Sequence, residues 1–246
     1  MAYSTIIKPQ DYFNTLLYSG NSTARSLTGV GFEPSWVWIK ERTSTSDHML
    51  FDQPRGVQKY ISSNLDNAEQ TSAGMLTAFG SDGFSLGNGN DVNDNGQTYA
   101  SWNWKANGAG SSNTDGSITS TVSASTIVKY FGTGSSATVG HGLGAVPKMI
   151  IVKCLNQPHW WFTYHVSIGN TKHITLNTTN AESGASSVYW NNTTPTSSVF
   201  SIGTDTGVNQ SGIDYVAYCF ADIQGYSKFD SYTGNGNADG PVIYTG

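Results

Sequence analysis

The sequence predicts an all-β protein made of tandem antiparallel β-sandwiches of the jelly-roll kind. Three observations predict it. First, the chain repeats itself. Gly31-Phe32-Glu33-Pro34-Ser35-Trp36-Val37-Trp38-Ile39-Lys40 returns as Gly144-Ala145-Val146-Pro147-Lys148-Met149-Ile150-Ile151-Val152-Lys153, at an offset of 113 (147 − 34, 153 − 40). Asn64, Ala68 and Glu69 return at the same offset as Asn177, Ala181 and Glu182. Phe84-Ser85-Leu86-Gly87 returns as Phe200-Ser201-Ile202-Gly203 at 116 (200 − 84), and Asn93, Gly96 and Tyr99 follow as Asn209, Gly212 and Tyr215. A repeat of this length is domain-sized, too long for a solenoid unit. Second, only 12% of the residues are charged while glycine alone counts 28, a profile of many turns and few surface ion pairs. Third, short apolar or alternating runs lie between Gly/Asn turns, twice over.

The elements follow in order. Asp11–Tyr18 reads as a strand entering a Gly20-Asn21 turn, and 126–134 plays that part in the second copy. Ser35–Lys40 is the core strand. Pro34 stands at its entry, where a missing N–H does least harm, and its apolar residues occupy both faces. Val57–Ser62 and Gly83–Leu86 are further strands. Asn64–Ala73 is weakly helical or loop, and Asn88–Gly96 is a loop. Tyr99–Trp104 closes the repeat. Its Ala100, Trp102 and Trp104 match Val216, Tyr218 and Phe220, so that face is expected inside. Ser101 and Asn103 match Ala217 and Cys219, so the other face is expected to be looser. The domains are then 1–107 for the first sandwich, 108–125 for a Gly/Ser/Thr-rich linker and 126–224 for the second sandwich. Residues 225–246 echo a repeat's opening, either as a third repeat cut short or as a hairpin packed on the second sandwich.

The net charge of −5 gives no basic footprint for nucleic acid. No run reaches the length of a membrane span. The N-terminus lacks the apolar core of a secretory signal, so synthesis in a cytoplasm is expected. Two cysteines make no disulfide framework. Cys154 and Cys219 are either a single bridge or, in a reducing cytosol, two free thiols.

Candidate sites are few. Asp82, Asn90, Asp91, Asn93 and Asp94 supply the oxygens that calcium wants, and the same residue types are ordinary turn formers. Trp160, Trp161 and Tyr164, with Trp190 further on, are candidates for stacking on a sugar, and equally for core or inter-repeat packing. No histidine pair has a zinc-like spacing, and no cofactor other than calcium is expected. Asp47, Asp52 and Glu41 lie close in sequence, but a glycosidase needs two acids facing across a cleft, and the second copy has none at the positions of Asp47 and Asp52. No nucleophile elbow is present, so no catalytic residue is expected.

The core motif, together with Asp52-Gln53-Pro54-Arg55-Gly56, Ser81-Asp82-Gly83-Phe84-Ser85-Leu86-Gly87 and Trp102-Asn103-Trp104-Lys105-Ala106-Asn107-Gly108, resembles a repeat domain of marine tailed-phage proteins, cyanophages among them. The ending Gly225-Tyr226-Ser227-Lys228-Phe229 with Tyr232–Pro241 is similar to that family too. The resemblance covers nearly the whole chain and implies a lectin-like sandwich in a virion. The protein would be a tail fibre, an appendage or a capsid decoration, acting by assembly or host-surface binding. Its partners would be other virion proteins, copies of itself and a host-surface glycan. The alternatives are a carbohydrate-binding lectin and, third, a glycan-degrading enzyme.

Overall fold

Trp36–Glu41 alternates Trp36 and Trp38 with Val37 and Ile39, and a strand sends these to opposite faces. In the computed structural model, which describes residue 6 and residues 8–105, 110–123 and 127–243, both faces meet a covering layer. The first half forms β1 (Phe13–Ser19), β2 (Arg25–Thr28), β3 (Trp36–Glu41), β4 (Met49–Asp52), β5 (Lys59–Ser62), β6 (Gln70–Thr71), β7 (Leu76–Gly80), β8 (Gly83–Leu86) and β9 (Thr98–Trp104). The second half forms β10 (Ser111–Asn113), β11 (Ser120–Ser123), β12 (Ile127–Phe131), β13 (Ala137–Gly140), β14 (Met149–Cys154), β15 (Phe162–His165), β16 (Ile174–Thr175), β17 (Val199–Ile202) and β18 (Asp214–Phe220). Short helices α1 (Asn90–Asn93), α2 (Ser187–Trp190) and α3 (Thr206–Asn209) sit between strands. The expected all-β class holds, with antiparallel strand pairing of the β-sandwich type.

The strands build four layers. A small sheet, β2-β8-β7, covers one face of the large sheet β1-β9-β3-β4-β5-β6. Val37, Ile39, Phe51, Phe84 and Leu86 fill the space between them. The pair β13-β17 likewise covers β10-β11-β12-β18-β14-β15-β16, over Val128, Ile150, Val152, Phe200 and Ala217. The two large sheets meet through a third core of Trp36, Leu50, Ile61, Ile151, Trp161, Val216 and Tyr218. Trp36 stacks on Tyr218 with centroids 4.4 Å apart.

The same contacts occur in both halves. Tyr18 stacks on Tyr99 at 5.0 Å, and Tyr130 on Tyr215 at 5.2 Å. Buried Asn93 donates to Gly87 O at 2.8 Å, and buried Asn209 donates to Gly203 O at 2.7 Å. The Tyr99 hydroxyl donates to Asn90 O, and the Tyr215 hydroxyl to Thr206 O. Each satisfies a buried loop backbone that would otherwise go unpaired.

Three expectations need correction. The face of Ser101 and Asn103 is not the looser one: both are fully buried, whereas Trp102 and Trp104 are half-buried. The small sheet covers the Ser101 face, and Asn103 Nδ2 is satisfied by Ser101 Oγ at 3.0 Å and Asn14 O at 3.1 Å. The 108–125 stretch is not only a connection, because β10 and β11 lie in it and pair with each other and then with β12. Residues 106–109 and 124–126 lie outside the described residues, as do 244–246 at the end. The described part of 225–243 contains no strand. It turns at Ile223–Ser227 and lays Phe229 against Phe220 at 5.6 Å. Cys154 and Cys219 are free and buried.

Candidate functional site

The seam between the halves opens as a groove of about 660 Å³. Trp38, His48 and Asn64 line it from the first half, and Asn177, Thr179 and Asn180 from the second. β3 carries Trp38 on its inner face, edge-on to Trp102 of the neighbouring strand at 6.2 Å. Trp38 Nε1 donates to His48 Nδ1 at 2.9 Å, which places the imidazole proton on Nε2. Burial lowers the His48 pKa, with the Lys40 charge adding to it and Asp47 opposing it, so the ring is neutral at pH 7.

The groove is held from both sides by one repeated contact. His48 N donates to Asn64 Oδ1 at 3.0 Å, and Trp161 N donates to Asn177 Oδ1 at 3.0 Å. These pairs stand at the repeat offset of 113 (161 − 48, 177 − 64). Asn64 Nδ2 is held by Asp47 Oδ1 at 2.6 Å, so its amide is spent on the fold. The groove thus offers an indole, a neutral imidazole and carboxamides, with no charged lining group. Such a set stacks on and hydrogen-bonds to a neutral polyhydroxyl surface. A second cleft of about 630 Å³ is apolar, lined by Phe13, Trp36, Trp104, Met149 and Phe220, with Tyr226 and Phe229 along it.

The structure does not bring the expected aromatic residues together on the surface. Trp160 is exposed at 47%. Trp161 is fully buried between the halves, its Nε1 donating to Leu65 O at 2.9 Å and Ser62 O at 3.1 Å. Tyr164 and Trp190 are buried edge to face in the second half's own core, 5.9 Å apart. The cause is strand alternation: β15 turns Phe162 and Tyr164 toward the core that also takes Trp190. These three residues are packing groups, and only Trp160 faces solvent.

The residues of the expected calcium loop also hold turns of the fold. Asp82 accepts from Gly29 N at 3.0 Å and Gly31 N at 2.6 Å, tying a turn beside β2. Asn93 is buried, and its Oδ1 accepts from Asn21 N. Asp94 accepts from Asn95 N and from the Ser22 hydroxyl. Asn90 starts α1 and gives its carbonyl to Tyr99. The Asp91 carboxyl pKa is raised by burial, and further by Asp47 and Glu41. Among the described residues no group of three or more His, Cys, Asp or Glu side chains is placed to hold a metal.

The close acids also serve the fold. Asp52 is fully buried and paired with Arg55 Nε at 2.6 Å. Glu41 is buried and accepts from Ser46 and Thr43. His141 is buried, and its Nδ1 accepts from Leu143 N. Sequence reasoning missed Trp38, His48, Asn177, Thr179 and Asn180 as groove residues. Asn64 and Asn177 were visible as a repeated pair, but nothing in the repeat said that the two copies face each other. Among the described residues no helix is long and apolar enough to cross a membrane.

No curated protein and no solved structure matches the chain. The model of one family, DUF7483, a domain of unknown function, matches residues 8–246 and so spans both halves, and the chain belongs to that family.

Proposed function

We propose that the protein is a binding and assembly module of a tailed-phage virion, a tail fibre, appendage or shell decoration, and that the groove at the seam is its contact for a host-surface glycan. The virion role rests on the resemblance of the core, Asp-x-x-Arg-Gly and closing-strand motifs. The glycan reading rests on one observation: Trp38 and neutral His48 face Asn177, Thr179 and Asn180 across an uncharged groove. Stacking on an aromatic ring and amide hydrogen bonds recognise a sugar without chemistry on it.

A glycan array with the wild-type chain, repeated with Trp38→Ala and with Asn180→Ala, tests this. Binding to neutral saccharides that both substitutions abolish, with Trp160→Ala unaffected, supports the groove. Binding lost only in Trp160→Ala moves the site to the exposed tryptophan. No binding to any saccharide removes the glycan reading and leaves assembly alone.

A further inference from the structure

Each half presents the same two parts at the seam, a residue and a turn. His48 and Trp161 hold one place in the repeat, each tied by its backbone N–H to the asparagine of its own half, Asn64 or Asn177. The turn around that asparagine also repeats. Leu65 N donates to Ser62 O at 3.2 Å, and Thr178 N donates to Thr175 O at 3.4 Å. The first half's turn is capped by the second half. Trp161 Nε1 donates to Leu65 O at 2.9 Å. Lys153 Nζ and His159 N each donate to Asp66 O at 2.9 Å.

The second half's turn has no such cap. The counterparts of Trp161, Lys153 and His159 are His48, Lys40 and Ser46, at the offset of 113 (161 − 48, 153 − 40, 159 − 46). Lys40 Nζ stays within its own half, donating to Glu41 O at 2.8 Å and Ser44 O at 3.1 Å. The Ser46 hydroxyl donates to Glu41 Oε2. His48 puts a short imidazole where the other copy has an indole, and its Nδ1 is taken by Trp38. The carbonyls that match Leu65 O and Asp66 O belong to Thr178 and Thr179 (178 − 65, 179 − 66), and both residues line the groove. Among the described residues no donor reaches either oxygen. The groove is thus a copy of the Trp161 socket with a histidine in place of the tryptophan.

We infer that the saccharide this groove takes is an N-acetylhexosamine, whose acetamido group fills the place of the indole; the inference rests on the groove being the glycan site. The uncapped wall consists of carbonyl oxygens, so it selects donors. A hydroxyl brings lone pairs along with its proton, whereas an amide N–H only donates. The acetamido nitrogen donates to Thr178 O as Trp161 Nε1 donates to Leu65 O. The acetamido carbonyl accepts from His48 Nε2–H, the proton position that the Trp38 bond fixes. The methyl group packs on the half-buried Trp38 ring. A free amine in the same place would bring a charge among groups that offer no counter-charge.

The test titrates the wild-type chain with matched saccharides of the glucose and galactose series, each as the N-acetylated sugar, the free amine and the plain hydroxyl form. The N-acetylated members are expected to bind about tenfold or more tighter than their hydroxyl and amine partners. His48→Trp rebuilds the Trp161 arrangement on the open side. It is expected to abolish this binding and to raise the thermal unfolding midpoint, because the new indole caps the Thr178 turn. Trp38→Ile combined with His48→Trp copies the Ile151 and Trp161 pair of the other half, and the same two effects are expected where Trp38 crowds the single change. Hydroxyl sugars that bind as tightly as their N-acetylated partners overturn this inference and leave the glycan groove standing. Binding that survives in both variants, or a midpoint lowered in both, overturns it as well, because the groove would not be the socket. No binding to any saccharide overturns both readings.

Discussion

The Tyr218 hydroxyl donates to Asp52 Oδ2 at 2.7 Å, joining β18 of one half to β4 of the other inside the shared core. Arg55 completes the group. Its Nε binds the same carboxylate oxygen, its second nitrogen reaches Leu50 O at 2.8 Å, and both charged side chains are fully buried. Asp52 with its neighbouring charges holds the Arg55 pKa above its usual value against the opposing cost of burial. Burial, and then the Asp52 charge, raises the Tyr218 pKa. The Asp-x-x-Arg-Gly motif is therefore a joint between the halves.

Removing parts of this joint has graded costs. Tyr218→Phe keeps the ion pair and loses one hydrogen bond to a charged group, an expected loss of about 1.5–3 kcal/mol in urea unfolding. Asp52→Asn removes the nearer of the two carboxylates paired with buried Arg55 and leaves Glu69 Oε2 at 3.4 Å, an expected loss of about 3–5 kcal/mol. Equal effects from the two changes would contradict this assignment.

Adjacent tryptophans should part company. Trp161→Ala empties a fully buried site and removes the donor to Leu65 O and Ser62 O, with an expected cost of about 3–5 kcal/mol. Trp160→Ala changes an exposed residue, with an expected effect within about 0.5 kcal/mol. Thermal and denaturant unfolding of the two variants separates them.

The repeat made much of the fold legible. The offsets of 113 and 116 located β3 and β14, β8 and β17, and β9 and β18, because each strand is apolar enough to stand out twice. The double-faced apolar pattern of Trp36–Ile39 already marks a central strand under a covering sheet. What covers the second face was not legible, because a single strand does not say whether its neighbour is a small sheet or another half. For that reason the sequence points Ser101 and Asn103 to the looser face and groups Trp161 with Tyr164, whereas the structure buries the first pair and sends the second to different cores. The groove was invisible for the same reason: its residues come from both halves, and only the docking of the large sheets brings Trp38 opposite Asn177.

Lys153 gives a pH signature. Its Nζ donates to Asp66 O of the other half at 2.9 Å and to His159 O at 2.8 Å, and burial pushes its pKa down to about 8 from 10.5. Between those values the folded chain holds fewer protons than the unfolded chain. Stability from this group thus rises with pH across that window, by up to about 1.4 kcal/mol per unit, and is at its lowest below it. Buried Tyr130, Tyr218 and Cys219, all with raised pKa, act in the opposite direction at the alkaline end. Unfolding free energies of wild-type and Lys153→Met chains from pH 7 to 10 isolate the contribution of this amine. The difference should change in favour of the wild type as pH rises, and a flat difference would contradict it.

The thiols should be silent in the folded protein. Cys154 and Cys219 are buried, and burial raises both pKa values. A thiolate-specific reagent at pH 8 is expected to label neither until denaturant is added, and then both. Rapid labelling of the native chain would show that the second half's core opens easily.

The central claim is a binding and assembly role on a virion, and the most direct measurement is immunogold labelling of purified phage particles with an antibody raised against this chain. Label on the particles is expected, at the tail tip for a host-binding fibre or evenly over the shell for a decoration protein. Particles that carry no label, with the chain recovered only from the soluble fraction, would contradict it.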